Sequence, residues 1–364
     1  MNITYWGLMM KLHCITDYEY NELIYKLVFR NLKFHPSLTV SSAGYPTIGY
    51  GFNLQDDKAL YPVLESLGFD VNAKQLTGAA LEAEQYYMRS MRAAFRMFSN
   101  DTESLNNLIQ SILATRLTDR RYLRCHRYKR IARFVYQDKE SVKECVKAII
   151  KNFEKIVDRW LLSFDMDIVN RNPQLFARKS RERIVLFSLA YHGIIGIKPN
   201  KTPLFPALGN AFLLDNRALA WYYIRYNALN NAIDNRLEVK QRYYESELFG
   251  LYDDGVSEEN ISALHCKQIY SMYREYKEHI MEHEKHNSEL ITEANQQFGL
   301  SGEKSIKTLG QSLVWTERQL KKVKTVHPLP TAKNVPSKIT VENTFAGEGG
   351  NGKNVFYLEK AIAG

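Results

Sequence analysis

Apolar positions recur at helical spacing along most of the chain and predict a mainly helical protein. The first run begins after Thr16 and repeats apolar residues every three or four positions until His35-Pro36 ends it. Arg181–Tyr191 is apolar nearly all round, which is typical of a helix buried in the centre of a fold. The same spacing predicts further helices at residues 76–98, 141–164, 218–226, 239–251 and 258–290.

Residues 38–54 (LTVSSAGYPTIGYGFNL) interrupt this pattern. Gly44, Gly49 and Gly51 are interspersed there with Tyr, Ile and Thr, a composition that favours tight turns between short strands, so the segment predicts a compact β-hairpin. We expect a mainly helical α+β fold with a small N-terminal β-hairpin lobe and a larger helical lobe. After about residue 327 the chain turns to Pro, Thr, Asn and Gly, which predicts an extended tail.

Most of the net charge of +9 comes from one segment. Residues 111–137 carry eight Lys and Arg residues against the single acid Asp119. On a continuous helix four of the arginines would share one face: Arg116, Arg120, Arg124 and Arg127. This face predicts a polyanion contact at Arg120, Arg124 and Arg127, with a solvated helix face as the alternative. Nucleic acid is the less favoured polyanion, because no nucleic-acid-binding motif accompanies the segment.

The four cysteines stand singly, without a Cys-x-x-Cys pair, so we expect neither a disulfide framework nor a zinc site. We expect no metal and no cofactor. The N-terminus lacks the basic start and cleavage site of a signal peptide, and no apolar run is long enough to span a bilayer. The sequence therefore predicts a protein without a membrane span that is cytoplasmic when made.

Three stretches, in order along the chain, carry a family resemblance. They are GYPTIGYGFNL (residues 44–54), RERIVLFSLAYHG (residues 181–193) and the pair RALAWYYIRYN and NRLEVKQRYYESELFGLY (within residues 217–252). They resemble the hairpin, the central helix and the C-terminal lobe of the phage-type lysozyme (muramidase) family, in its bacterial, pesticin-like branch. The resemblance implies a lysozyme-like domain at residues 1–252 with a basic helical insertion at about 85–140. A C-terminal helical extension at residues 253–326 and the tail at residues 327–364 would follow it.

The resemblance also implies that the hairpin contacts a sugar. Thr47 belongs to the Thr-Ile-Gly-x-Gly signature and would hold a water molecule or a substrate group. Aromatic rings can stack on sugar faces, and the backbone can come close to a ligand at Gly49 and Gly51. The residues expected to bind substrate are Tyr45, Tyr50, Phe52 and Asn31.

Glycoside hydrolysis generally uses two carboxyl groups, one as general acid and one as base or nucleophile. In the family these are a Glu at the end of the first helix and an Asp about six residues before the Thr or, in the pesticin branch, after it. The corresponding positions here hold Asn31, Ser41 and Asn53. If the protein is active, we expect Glu22 to be the acid, with Glu19 as the alternative, and Thr47 and the polar groups of Ser41 and Asn53 to complete the catalytic set. A base could also come from Asp56 or Asp57, just after the hairpin.

The sequence is consistent with three functions. The first is a bacteriolytic glycan hydrolase, a muramidase that cleaves the sugar backbone of peptidoglycan and reaches the cell wall after phage-type release or as a toxin effector delivered by a secretion system. The second is a catalytically degenerate lysozyme fold that acts as a glycan- or protein-binding module. The third is a polyanion-binding protein that uses the Arg116–Arg133 segment. The partners expected are peptidoglycan and an immunity or delivery protein.

Overall fold

The computed structural model describes residues 10–29, 34–41, 44–98, 101–125, 128–164, 173–177, 179–228 and 236–326. Over these ranges the chain is mainly helical and contains a three-stranded antiparallel sheet, which confirms the mainly helical α+β class. None of the helices in these ranges is long and apolar enough to cross a membrane.

The chain divides into two compact units. The sheet unit consists of Asp17–Arg159 and Leu186–Gly196, and the helical unit of Met1–Thr16, Trp160–Val185 and Ile197–Gly364. No boundary between units falls at residue 252, where the lysozyme-like domain was expected to end. The expected insertion at about 85–140 lies within the sheet unit.

The sheet unit begins with α1 (Asp17–Ile24), which continues into a wider π-type turn at Tyr25–Phe29. The predicted hairpin is confirmed and extended, because a third strand completes a sheet with the order β1-β2-β3. Its strands are β1 (His35–Val40), β2 (Pro46–Gly49) and β3 (Phe52–Asn53). The helices that follow are α2 (Asp57–Ser66), α3 (Gly78–Arg96), α4 (Thr102–Thr118) and α5 (Lys143–Leu162).

Short helices and a long helical pair make up most of the rest of the chain. The predicted buried helix is confirmed as α7 (Arg181–Tyr191), in which Ile184, Leu186 and Phe187 have no exposed surface. The predicted helix at 258–290 is two helices, α11 (Ala263–His286) and α12 (Ser288–Phe298), because the chain breaks at Asn287 between them. The remaining bounds are α6 (Gln174–Ala177), α7 (Arg181–Tyr191), α8 (Pro206–Leu213), α9 (Arg217–Tyr222), α10 (Arg236–Phe249), α11 (Ala263–His286), α12 (Ser288–Phe298), α13 (Leu309–Ser312) and α14 (Val314–Val326).

Packing across residue 252 explains why the helical unit is continuous there. The ring of Tyr244 on α10 stacks on that of Phe298 on α12, with centroids 4.1 Å apart. Arg236, also on α10, forms an ion pair with Glu293 at 2.6 Å. Stacked aromatic rings bury a large apolar area, so the helices of residues 253–326 share one core with those before them.

Candidate functional site

One face of the sheet is apolar and buried, and the other is polar. Side chains alternate between the two faces of a strand, and residues paired across neighbouring strands lie on the same face. Ile48 pairs with Phe52, and both are buried without exposed surface. Thr47 is paired with Thr39 of β1 on one side and with Asn53 of β3 on the other. We call Thr39, Thr47 and Asn53 the polar row.

The centre of the polar row is nearly closed to solvent. Thr47 is 4% exposed, and its hydroxyl oxygen lies 3.1 Å from that of Thr39. Thr39 and Asn53 are only half-buried, so the two ends of the row are open. The side-chain oxygen of Asn53 accepts a hydrogen bond from the backbone N–H of Gln55 at 2.9 Å. An amide held through its oxygen still has two N–H donors to offer a ligand.

Ser41 closes the turn from β1 to β2. Its backbone N–H donates to the carbonyl of Tyr45 at 2.9 Å, and its hydroxyl oxygen accepts from the Tyr45 N–H at 3.1 Å. Tyr45 is 45% exposed, so the turn presents its side chain to solvent beside the polar row.

Two of the expected sugar-stacking rings belong to the core. Phe52 has no exposed surface, and Tyr50 is 5% exposed with its hydroxyl 2.9 Å from that of Tyr25. Burial, together with the Tyr25 hydrogen bond, raises the pKa of Tyr50. Gly49 has φ +68°, and a Cβ there would lie 2.8 Å from the Phe52 ring. The Phe52 ring therefore occupies the space beside the Cα of Gly49, and a sugar cannot bind there.

The carboxylates after the hairpin already have local partners. Asp56 caps α2 by accepting from the backbone N–H of Lys58 at 3.0 Å. Asp57 forms ion pairs with Arg92 at 2.5 Å and with Arg96 at 3.1 Å.

Glu22 is exposed on α1, three residues before Tyr25. This spacing places the two side chains on neighbouring positions of the helix surface. No hydrogen bond joins Glu22 to the polar row within the described residues. Asn31 lies outside the described residues.

The predicted arginine face is wrong because the helix that would carry it stops. α4 ends at Thr118, and the side chain of Asp119 then accepts from the backbone N–H of Arg121, which starts a 3₁₀ turn at Arg120–Tyr122. Asp119 also forms an ion pair with the Arg121 guanidinium at 2.6 Å. An Asp at the start of a turn is a common cap, so the sequence did carry this signal.

Arg116 does not belong to a surface patch. It is fully buried and forms an ion pair at 2.8 Å with Glu84, which is equally buried. Tyr122 and Tyr128 also donate hydrogen bonds to the Glu84 carboxylate. Burial works to raise the pKa of Glu84, but the hydrogen bonds and charge of Arg116 hold it below its ordinary value.

Arg120 and Arg124, two of the three expected polyanion contacts, are exposed. Arg127 lies outside the described residues.

Comparisons with protein-family models, with curated proteins and with solved structures find no match to this chain.

Proposed function

We propose that this protein is a lysozyme-like module that binds the glycan strands of peptidoglycan through the polar row and Tyr45, without cleaving them. The observation that carries the proposal is the polar row itself. Its side chains, Thr39, Thr47 and Asn53, are hydroxyls and an amide in register on one face of the sheet. The resemblance of residues 44–54 to lysozymes suggests that the ligand is a peptidoglycan glycan. The polar row supplies side chains that can form hydrogen bonds with such a ligand.

These groups suit a neutral sugar. Sugar hydroxyls both donate and accept, as does the Thr39 hydroxyl at one open end of the row, and the Asn53 amide at the other end supplies donors. Tyr45, exposed beside the row, gives an aromatic surface on which the apolar face of a sugar ring can pack. A few directional polar groups beside an aromatic surface are the usual composition of a small-ligand site.

The acids near the row are the reason for proposing binding and not hydrolysis. General acid–base catalysis contributes about 10²–10⁴-fold and needs a carboxyl group within hydrogen-bond reach of the reacting atoms. Asp56 caps a helix and Asp57 is held by two arginines. Glu22 keeps the muramidase alternative open, because it is exposed on the helix that precedes the sheet.

Co-sedimentation of the full chain with insoluble peptidoglycan tests the proposal, with new reducing ends assayed in the supernatant. We expect the protein to sediment with the wall polymer and to release no sugar. Tyr45→Ala and Asn53→Ala should weaken sedimentation. Tyr86→Ala and Asn107→Ala, at exposed positions on α3 and α4, are the matched controls and should not.

Two results would overturn the proposal. A wild-type protein that stays in the supernatant would remove peptidoglycan as the ligand. Sugar release that disappears in Glu22→Gln would replace binding with hydrolysis and assign the acid.

A further inference from the structure

The helical unit contains a cavity of about 500 Å³ that the proposed function does not use. His13, the end of α10, the following loop to Val256, and the segment from Lys307 to Trp315 line it. Ligand pockets in proteins measure about 300–1,000 Å³, so the cavity has the size of a small-molecule site. All of its lining residues belong to the helical unit.

Two side chains of opposite charge, Glu247 and Lys307, line the cavity. The backbone N–H of Lys307 donates to the Glu247 carboxylate, but the two side chains form no ion pair with each other within the described residues. Within the described residues the Glu247 carboxylate forms its ion pair with Arg225, at 3.6 Å. Burial raises the pKa of the Glu247 carboxyl, and the charges of Arg225 and Lys307 oppose that effect only in part. A further cation beside Glu247 would therefore stabilise its charged form.

His13 presents a fixed hydrogen-bonding group to the cavity. Its Nδ1 lies 2.7 Å from Oε1 of Glu182, which Arg217 holds at 2.6 Å. Burial alone would raise the pKa of Glu182, but the His13 hydrogen bond and the Arg217 charge lower it to about 2. The ionised carboxylate accepts the hydrogen bond from Nδ1, so Nε2 is the ring nitrogen left to contact a ligand.

The rest of the lining is mixed, because it includes the polar side chains of Asp253, Gln311 and Ser312 as well as apolar ones. Trp315 is half-buried, and its ring packs on that of Tyr252 with centroids 5.2 Å apart. Val256 and Val314 add aliphatic surface. The cavity thus combines one cation, Lys307, with two carboxylates and an aromatic wall. Of the two carboxylates, Asp253 is already paired with Arg217 and His265, which leaves Glu247 for a ligand.

We propose that this cavity binds a short zwitterionic peptide, whose carboxylate pairs with Lys307, whose ammonium pairs with Glu247 and whose apolar side chain packs on Trp315. A ligand of a single charge sign would gain one of these pairs and be repelled by the other lining charge. A dipeptide spans at most about 7 Å, which lets its two charges pair with two side chains that form no ion pair with each other. The Nε2 of His13 hydrogen-bonds a polar group of the peptide backbone. This site is separate from the polar row and does not rest on the glycan proposal.

Isothermal titration of the full chain with L-alanyl-L-phenylalanine tests the proposal. The N-acetylated and the C-amidated forms of the same dipeptide each remove one charge and should bind about tenfold or more weakly. Lys307→Met should weaken binding of the zwitterion by a similar factor but should not weaken binding of the amidated form, because that form has already lost the carboxylate. Glu247→Gln should likewise weaken binding of the zwitterion but not binding of the N-acetylated form, because that form has already lost the ammonium.

Lys304→Met and Glu259→Gln, at exposed positions of the same unit, are the matched controls and should leave the affinity unchanged. Lys307→Arg keeps the cation and should retain most of the affinity, and thermal unfolding checks that each variant is folded. No binding at millimolar dipeptide, or equal binding of the blocked and free forms, would overturn the proposal. So would an equal loss of affinity in the control variants.

Discussion

The guanidinium of Arg116 lies 2.8 Å from the carboxylate of Glu84, and neither side chain has exposed surface. The two residues come from neighbouring helices, α4 and α3, which pack against each other. This ion pair takes one arginine out of the basic segment and uses it inside the core of the sheet unit. Removing one partner of a buried ion pair leaves an uncompensated charge, which is far less favourable than losing a surface contact.

Arg116→Met should lower the free energy of unfolding by about 3–5 kcal/mol, because Glu84 would stay buried without its cation. Arg120→Ala, at an exposed position four residues on, should change it by less than about 0.5 kcal/mol. Urea denaturation followed by circular dichroism measures both. Equal effects of the two substitutions would show that Arg116 is not an internal residue in solution.

Gly49→Ala should destabilise the sheet unit for two reasons. Gly49 has φ +68°, which is unfavourable for a residue with a Cβ, and the new methyl would lie 2.8 Å from the Phe52 ring. Gly78 is the matched control, because its φ is +54° and nothing lies within 4 Å of a Cβ placed there. Gly78→Ala should lose about 1–2 kcal/mol and Gly49→Ala clearly more, as measured by thermal or urea unfolding.

The helical unit should lose stability in acid through Glu182. The folded-state pKa of this carboxyl is lowered to about 2 by His13 and Arg217 against the effect of its burial. A depressed carboxyl pKa stabilises the fold above the unfolded-state pKa, and that stabilisation disappears as the pH falls. We expect a loss on the order of 3 kcal/mol between about pH 5 and pH 2.

Glu182→Gln tests this pH dependence. The variant should be less stable at neutral pH and should lose less stability on acidification, measured by urea unfolding at several pH values. Part of the dependence will persist, because His265 and Arg217 lower the pKa of buried Asp253 despite its desolvation. Glu259→Gln, at an exposed position, should keep the wild-type dependence. An unchanged slope in Glu182→Gln would contradict the assignment.

The exposed part of the basic segment makes a separate prediction about polyanions. If Arg120 and Arg124 contact an acidic polymer, the double variant Arg120→Ala/Arg124→Ala should bind it more weakly and with a flatter dependence on salt. Heparin affinity chromatography over a salt gradient measures the change. Elution at the wild-type salt concentration would remove a polyanion role for these two side chains.

Periodicity predicted the helices and the hairpin because both depend on neighbours close in sequence. It placed the buried helix at Arg181–Tyr191, and α7 has those bounds. The alternation of residues along the strands also indicates which residues share a face of the sheet. Phe52 is even-numbered and lies on the same face as buried Ile48, whereas Thr39 is odd-numbered and lies on the same face as Thr47. Reading that alternation would have moved Phe52 into the core and added Thr39 to the site.

The features that spacing did not reveal each depend on a partner that lies far away in sequence. Arg116 appeared to belong to a surface face because its partner Glu84 is 32 residues earlier. The helical unit crosses residue 252 because Tyr244 stacks on Phe298. Spacing arguments describe one element at a time, so they cannot identify which distant side chain fills a cavity or neutralises a charge.

The N-terminal segment of the helical unit has a consequence for how the protein is made. The Arg217 guanidinium donates to the carbonyl of Lys11, and the backbone N–H of Asp254 donates to the same carbonyl. The ribosome adds about 5–20 residues per second, so some tens of seconds separate the synthesis of Lys11 from that of Asp254. During that interval the whole sheet unit is synthesised and can fold first, so Lys11 completes its native contacts late although it lies near the start of the chain.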